Sequence, residues 1–199
     1  MVATRRFILN VDLDGVCADY VGGLRNSVAR FCSVDPPSLG EVTSWDFAAC
    51  WDVVRDTEHY LDLHHRAVSE DRLFANLDPL PGAAEALAAL SDAEVHIRIV
   101  TQRFMHHGAH GIVAADTAAW LDRHRIPYRD LVFVAAKTDV AGDLALDDSP
   151  HAYAAMLAAG REALIFDQPY NRDLDGPRVR DWEHAQVEIL ARAERWAGR

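Results

Sequence analysis

Residues 6–12, Arg-Phe-Ile-Leu-Asn-Val-Asp, form a short apolar run that ends in an acid. A run of that length predicts a buried strand. Tyr20, Leu24, Val28 and Phe31 then recur at helical spacing, and Pro36 and Pro37 break the helix. Residues 38–76 differ in character. They hold Trp45, Phe47, Trp51, Tyr60 and Phe74 among many charges, with no strand pattern, which predicts a mainly helical insertion. The stretch Leu77-Asp78-Pro79-Leu80-Pro81-Gly82 is a stiff connector, because each proline fixes its own φ and biases its predecessor towards extended backbone.

An Ala/Leu-rich helix is expected over residues 83–90 and a second strand over 94–101. A polar loop follows, then a helix with Val113, Trp120 and Leu121 on one face, ended by Pro127. Further strands are expected at 130–135, 143–147 and 163–166, with a helix over 151–159 between the last two. A long C-terminal helix is expected over 182–196. Strands alternating with helices indicate an α/β domain with a mostly parallel sheet. Ligands of such sheets gather outside the carboxyl ends of the strands.

Composition narrows the classes of function. The chain has 199 residues, enough for one domain with a sizeable core or one carrying a small insertion. Its formal net charge of −11 repels nucleic-acid backbones, which argues against a polymeric nucleic-acid partner. Any phosphate site must therefore build its positive potential locally. The apolar run after Arg5 and Arg6 stops at Asp12, too soon for a signal peptide, and no stretch reaches the ~18 apolar residues of a membrane span. A cytoplasmic location without membrane partners is the expectation. Cys17, Cys32 and Cys50 are odd in number and lack CxxC spacing, so they read as buried or partly buried thiols rather than disulfides or zinc ligands.

Three predicted strands end in polar residues: Asp12, Thr101 and the pair Asp147-Asp148. Lys137 lies in the loop after the third strand. Parallel topology would bring all of these to one sheet edge. In Asp12-Leu13-Asp14-Gly15, one carboxylate can attack phosphorus while the other handles the leaving-group proton. Gly15 allows a sharp turn after them. The same string also suits an Asp-rich turn that caps a helix. Asp147 with Asp12 can supply oxygen ligands to a hard cation such as Mg²⁺, while Asp148 or Ser149 can cap the helix that Pro150 begins. Of the 20 Lys and Arg residues, Lys137 alone is lysine. A compact ammonium there suits the neutralisation of a nucleophile and a phosphate in a crowded site.

In this order the elements resemble the haloacid dehalogenase-like phosphatase superfamily. The stretch from Ala136 through Lys137, Asp147 and Asp148 to Pro150 is similar to the 5′(3′)-deoxyribonucleotidase family, as are residues 77–82 and 166–172. The resemblance implies a Rossmann-like parallel sheet flanked by helices, with a small helical cap inserted after the first strand. It divides the chain into a core of residues 1–16 and 77–199 and a cap of residues 17–76. It implies Asp12 as nucleophile and Mg²⁺ ligand, and Asp14 as general acid/base and Mg²⁺ ligand through its carbonyl. Thr101, Gln102 and Lys137 would hold the phosphoryl group, Asp147 would complete the metal site, and Asp148 would support it. Trp45, Phe47 and Arg103 are the substrate contacts expected from the cap and loops.

The expected reaction is hydrolysis of a small phosphate monoester through an aspartyl-phosphate, with a nucleoside monophosphate as the leading substrate and a homodimer allowed. A phosphatase of another metabolite, a phosphomutase and a non-catalytic phosphate binder are the alternatives, since one fold hosts many functions. The aromatics of residues 45–74 either stack on a nucleobase or fill a core. His106, His107 and His110 suit a solvated loop, a substrate contact or a transition-metal ion, and Tyr170-Asn171-Arg172 suits an approach to the site or a turn.

Overall fold

The computed structural model describes residues 6–105 and 108–198. The first apolar run forms β1 (Ile8–Val11), whose last three residues are buried. The other strands are β2 (His96–Thr101), β3 (Asp130–Phe133), β4 (Leu144–Asp147), β5 (Ala163–Phe166) and β6 (Arg178–Val179). They pair in parallel in the order β3-β2-β1-β4-β5-β6. The chain runs outward from β1 to β2 and β3, then crosses back to β4 on the other side. That reversal opens a crevice between the carboxyl ends of β1 and β4, where open α/β sheets bind ligands. Register there is fixed by Val11 opposite Leu146, and the Asp12 N–H donates to the Leu146 carbonyl at 3.0 Å.

The short strand β6 was not expected. Two residues are too few to show a periodicity, and β6 exists because its partner β5 templates it. Elsewhere the elements fall within a few residues of expectation. Helix α1 (Tyr20–Cys32) begins at Asp19, whose side chain accepts from the Gly22 N–H, and ends on Ser33 in the left-handed conformation. Helices α2 (Phe47–Cys50), α3 (Thr57–Ser69) and α4 (Leu73–Asn76) make up the aromatic-rich stretch. Helices α5 (Ala83–Asp92), α6 (His110–Arg123), α7 (Pro150–Ala158) and α8 (Trp182–Ala197) flank the sheet. No helix among the described residues is long and apolar enough to cross a membrane.

The two chain segments joining the sheet to α1 and α4 lie side by side. Ala18 and Pro79 form an antiparallel bridge, the Asp19 N–H donates to the Asp78 carbonyl at 2.8 Å, and the Leu80 N–H donates to the Cys17 carbonyl at 2.7 Å. Two buried indoles tie these segments to the flanking helices. Trp120 Nε1 of α6 donates to the Leu77 carbonyl at 2.8 Å, and Trp182 Nε1 of α8 donates to the Val16 carbonyl at 2.7 Å. Each indole therefore fills a core position and satisfies a buried carbonyl with one side chain.

Replacing Trp182 with Phe removes the second bond and leaves the Val16 carbonyl unpaired beside a small cavity. The expected cost is about 2–3 kcal/mol, combining the unsatisfied acceptor and lost packing. Urea unfolding measures it; a change below about 0.5 kcal/mol, the scale of an ordinary surface substitution, would show that this bond does not hold α8 in place.

Candidate active site

The β1–β4 crevice collects the acids. Asp12 follows the last residue of β1, and Asp147 is the last residue of β4. Lys137 opens a 3-10 turn, Lys137–Asp139, a few residues beyond β3. Its ammonium sits between the two carboxylates, 2.8 Å from Asp12 Oδ2 and 2.7 Å from Asp147 Oδ2. All three side chains are buried. Burial alone would lower the Lys137 pKa, but the two carboxylates outweigh it and hold the ammonium well above its ordinary range. For Asp12 burial wins. Helped by Asp147 and Asp14 and opposed by Lys137, it raises that carboxyl to about 7.

Asp148 stands next to this pair. Burial raises its pKa first, and the Asp12 and Asp147 charges add to the effect. The Tyr170 hydroxyl donates to its Oδ2, and Asn171 Nδ2 donates to its carbonyl at 2.8 Å. Tyr170 and Asn171 thus do approach the site, in the turn after β5. Gly15 lies against the same carboxylate. It has φ +77°, and a Cβ there would come within 2.1 Å of Asp148 Oδ2, so only glycine fits. Asp147 Oδ1 accepts the Ser149 N–H at 3.0 Å, while Ser149 Oγ caps α7 by accepting from Ala152. The crevice acids and the helix cap are therefore separate residues of one short string.

Asp12, Asp147 and Asp148 each offer a carboxylate oxygen, and these oxygens lie within 4.8 Å of one another. With Asp14, four carboxylates face two cationic side chains, Lys137 and Arg103. Buried charge needs compensation. The surplus of carboxylates over cations among the described residues and the oxygen-only donor set fit a hard divalent cation. Burial raises the Asp12 and Asp148 carboxyls first, and the crowding of like charges raises them further.

Asp14 is held differently. Arg103 Nε donates to its Oδ2 at 2.9 Å and Arg103 Nη2 to its Oδ1 at 2.6 Å. Arg103 lies just past Thr101, which ends β2, and the Arg103 N–H reaches Thr101 Oγ1 at 3.4 Å. Gln102 uses its amide to donate to the Ala135 carbonyl at 2.6 Å.

Above the acids is a cavity of about 210 Å³ lined on its floor by Asp12, Asp14, Thr101 and Lys137. Gln102, Arg103, Trp45 and Phe47 also line it, so the expected site residues converge, with Asp147 just beneath. Phe47 is the first residue of α2 rather than part of a loop, and it stacks on Tyr60 at 5.0 Å. Trp45 is 42% exposed and packs edge-on against Tyr170 and His151, so it crosses from the helical stretch to the sheet side. Trp51 is buried away from the cavity and donates to the Gly40 carbonyl, a core role.

Tyr20 and His64 line the cavity unannounced by the sequence pattern. Periodicity marks Tyr20 as an apolar position of α1, and its hydroxyl, 2.9 Å from the Tyr60 hydroxyl, is the part that periodicity cannot read. His110 does not line the cavity; its ring stacks on Phe104 at 4.5 Å. His106 and His107 lie outside the described residues.

Residues 6–195 match the family described as 5′ nucleotidase, deoxy (pyrimidine), cytosolic type C protein. A candidate 5′(3′)-deoxyribonucleotidase of Chlorobaculum tepidum is 36% identical over 184 residues, covering 92% of this chain and 90% of that protein. The mitochondrial 5′(3′)-deoxyribonucleotidase of Mus musculus is 29% identical over 198 residues, covering 91% and 86%. In fold the chain is similar to a haloacid dehalogenase-like protein of unknown function from Agrobacterium tumefaciens, with a TM-score of 0.61 at 13% identity, covering 95% and 100%.

The raised Asp12 carboxyl, with Asp148 shifted in the same direction, contributes to the pH dependence of the metal-free protein. Its folded value is about 7 against an ordinary 3.8, so the folded state binds the proton more tightly than the unfolded state. The Asp12 contribution to stability is then full below about pH 4 and is lost as pH rises through 7. Lys137 stays charged throughout that window. Urea midpoints measured in EDTA should drop between pH 5 and 8, and a divalent cation should flatten the drop. A midpoint that rises with pH in EDTA would contradict the raised Asp12 carboxyl.

Proposed function

This chain belongs to the 5′ nucleotidase, deoxy (pyrimidine), cytosolic type C family within the haloacid dehalogenase-like fold, and from that premise we propose how it acts as a phosphoric monoester hydrolase. Its substrate is a nucleoside monophosphate, deoxyribonucleotides foremost, and its cofactor is Mg²⁺. The observation that carries this reading is the cavity itself: two carboxylates and one buried ammonium at the floor, aromatic rings on the walls. A phosphate suits the floor, and a flat base suits rings such as Trp45 and Phe47.

Lys137 occupies Asp12 Oδ2, which leaves Oδ1 to attack phosphorus. That attack forms the P–O bond to Asp12 as the bond to the nucleoside oxygen breaks, and Asp14, which enters this step protonated, gives its proton to the departing alkoxide. Water then attacks the same phosphorus and loses a proton to Asp14. The P–O bond to Asp12 breaks, returning the carboxylate and inorganic phosphate. Thr101 and Lys137 hold phosphoryl oxygens, Gln102 stands beside them, and Arg103 borders the leaving-group side. Asp12, Asp147 and the Asp14 carbonyl would hold Mg²⁺, with Asp148 in support; when bound, the ion supplies positive charge to the phosphoryl group.

The helical stretch of residues 17–76 acts as a cap on a core of residues 1–16 and 77–199. A cytoplasmic setting is supported by three cysteines that are all free thiols.

Phosphate release from a panel of nucleotides and sugar phosphates, with Mg²⁺ and with EDTA, tests the reading. Nucleoside monophosphates should turn over fastest, and only with the metal. Asp12→Asn should form no phosphoenzyme, and Asp14→Asn should lose roughly 10²-fold or more, the usual worth of a general acid. Faster turnover of simple sugar phosphates would sink the nucleotide assignment, and normal activity of Asp12→Asn would sink the mechanism.

A further inference from the structure

Arg103 is the feature of the site that the reaction as written leaves without a task. Its side chain is only 1% exposed, although it borders the cavity. Two of its nitrogens close a fork on both oxygens of Asp14. The third, Nη1, donates to Thr117 Oγ1 of α6 at 3.0 Å, and Thr117 is itself fully buried. The guanidinium lies over the Phe74 ring of α4, with its central carbon 4.2 Å from the ring centroid. All three nitrogens and one face of the group therefore have partners in the protein.

A guanidinium so enclosed is poorly placed to follow a substrate. Arginine differs from lysine here because its planar fork fixes the plane of the carboxylate it holds as well as its position. Asp14 is the more accessible partner, with its side chain 24% exposed towards the cavity. A fork takes one lone pair of each carboxylate oxygen and leaves others for the cavity side. The anchored partner is thus Arg103, and the group it aims is Asp14.

We propose that Arg103 is the positioning residue for Asp14, with Thr117 and Phe74 as its fixed supports. This inference rests on the proton-transfer role given to Asp14 above. Proton transfer needs the donor and acceptor within hydrogen-bond reach and alignment, so loss of the fork slows both steps in which Asp14 takes part. Binding of the phosphate at Thr101 and Lys137 does not involve the fork. The loss therefore falls on kcat and spares KM.

The two steps separate with the choice of leaving group. The nitrophenolate of p-nitrophenyl phosphate departs without a proton, so its release needs no acid. Hydrolysis of the aspartyl-phosphate still needs Asp14 to take a proton from water. With Arg103→Met, rapid mixing should show a burst of about one nitrophenolate per enzyme, followed by slow turnover. On a nucleoside monophosphate the same variant should lose roughly 10²-fold in kcat, the lower end of the usual contribution of general acid–base catalysis, with KM within about threefold. Arg103→Lys should recover only part of the loss, because a point charge cannot fork. Thr117→Val keeps the fork but loosens its anchor, and should show a smaller loss with a burst.

Equal losses on both substrates without a burst, in Arg103→Met and Thr117→Val alike, would mark a merely structural role and overturn the proposal. A raised KM with kcat unchanged would overturn it too, by making Arg103 a substrate contact. Failure of the underlying reading looks different: the unmodified enzyme would then release no phosphate from either substrate.

Discussion

The buried ammonium of Lys137 between Asp12 and Asp147 is the interaction on which the rest of the structure depends. Adjacent parallel strands that both end in aspartate bring like charges together at their carboxyl ends, away from water. Coulomb repulsion there is weakly screened, because the protein interior has a far lower effective dielectric than bulk solvent. One cation held by both carboxylates offsets part of it and fixes their geometry. Asp12 and Asp148 stay raised all the same, by burial first and by the neighbouring carboxylates second. The three carboxylates gathered there suit a divalent ion.

The walls of the cavity follow from a second constraint, the exclusion of water. Phe47, Tyr60, Tyr20 and Phe74 surround the acids with rings that also pack on one another. These residues belong to a core and line the cavity at once. Trp45 is the exception, half exposed and resting on Tyr170 and His151. Because the Tyr170 hydroxyl also holds Asp148, the ring that Trp45 touches is directly linked to the acid cluster.

Much of this was legible before any coordinates. Alternation of apolar runs and helical spacing gave the parallel sheet, and the polar residues closing those runs gave Asp12, Thr101 and Asp147 a common edge. The singular lysine stood out because arginine serves everywhere else in the chain. What remained hidden were facts of three-dimensional placement. The bidentate grip of Arg103 on Asp14 joins residues 89 positions apart, and no local pattern encodes it. Tyr20 looked like one more apolar position of α1 because burial, not polarity, dictates the periodicity. Strand β6 is made by its neighbour rather than by its own residues. Lys137 was expected in a loop, and the 3-10 turn that carries it is too short to leave a sequence signature.

The paired segments at Cys17–Asp19 and Asp78–Leu80 have a consequence for how such a protein can change over time. The chain leaves the sheet and returns to it at nearly the same point, and backbone hydrogen bonds clamp that point shut. Whatever lies between sees a fixed pair of ends. Lengthening the intervening stretch then adds only a logarithmic closure cost, about 0.6 kcal/mol for each doubling. The segment that shapes the cavity walls can therefore be remodelled, extended or exchanged between lineages while Asp12, Lys137 and Asp147 stay where the sheet puts them. The stretch between the clasped ends and the sheet edge that carries the acids are thus two parts of one chain, joined by paired backbone.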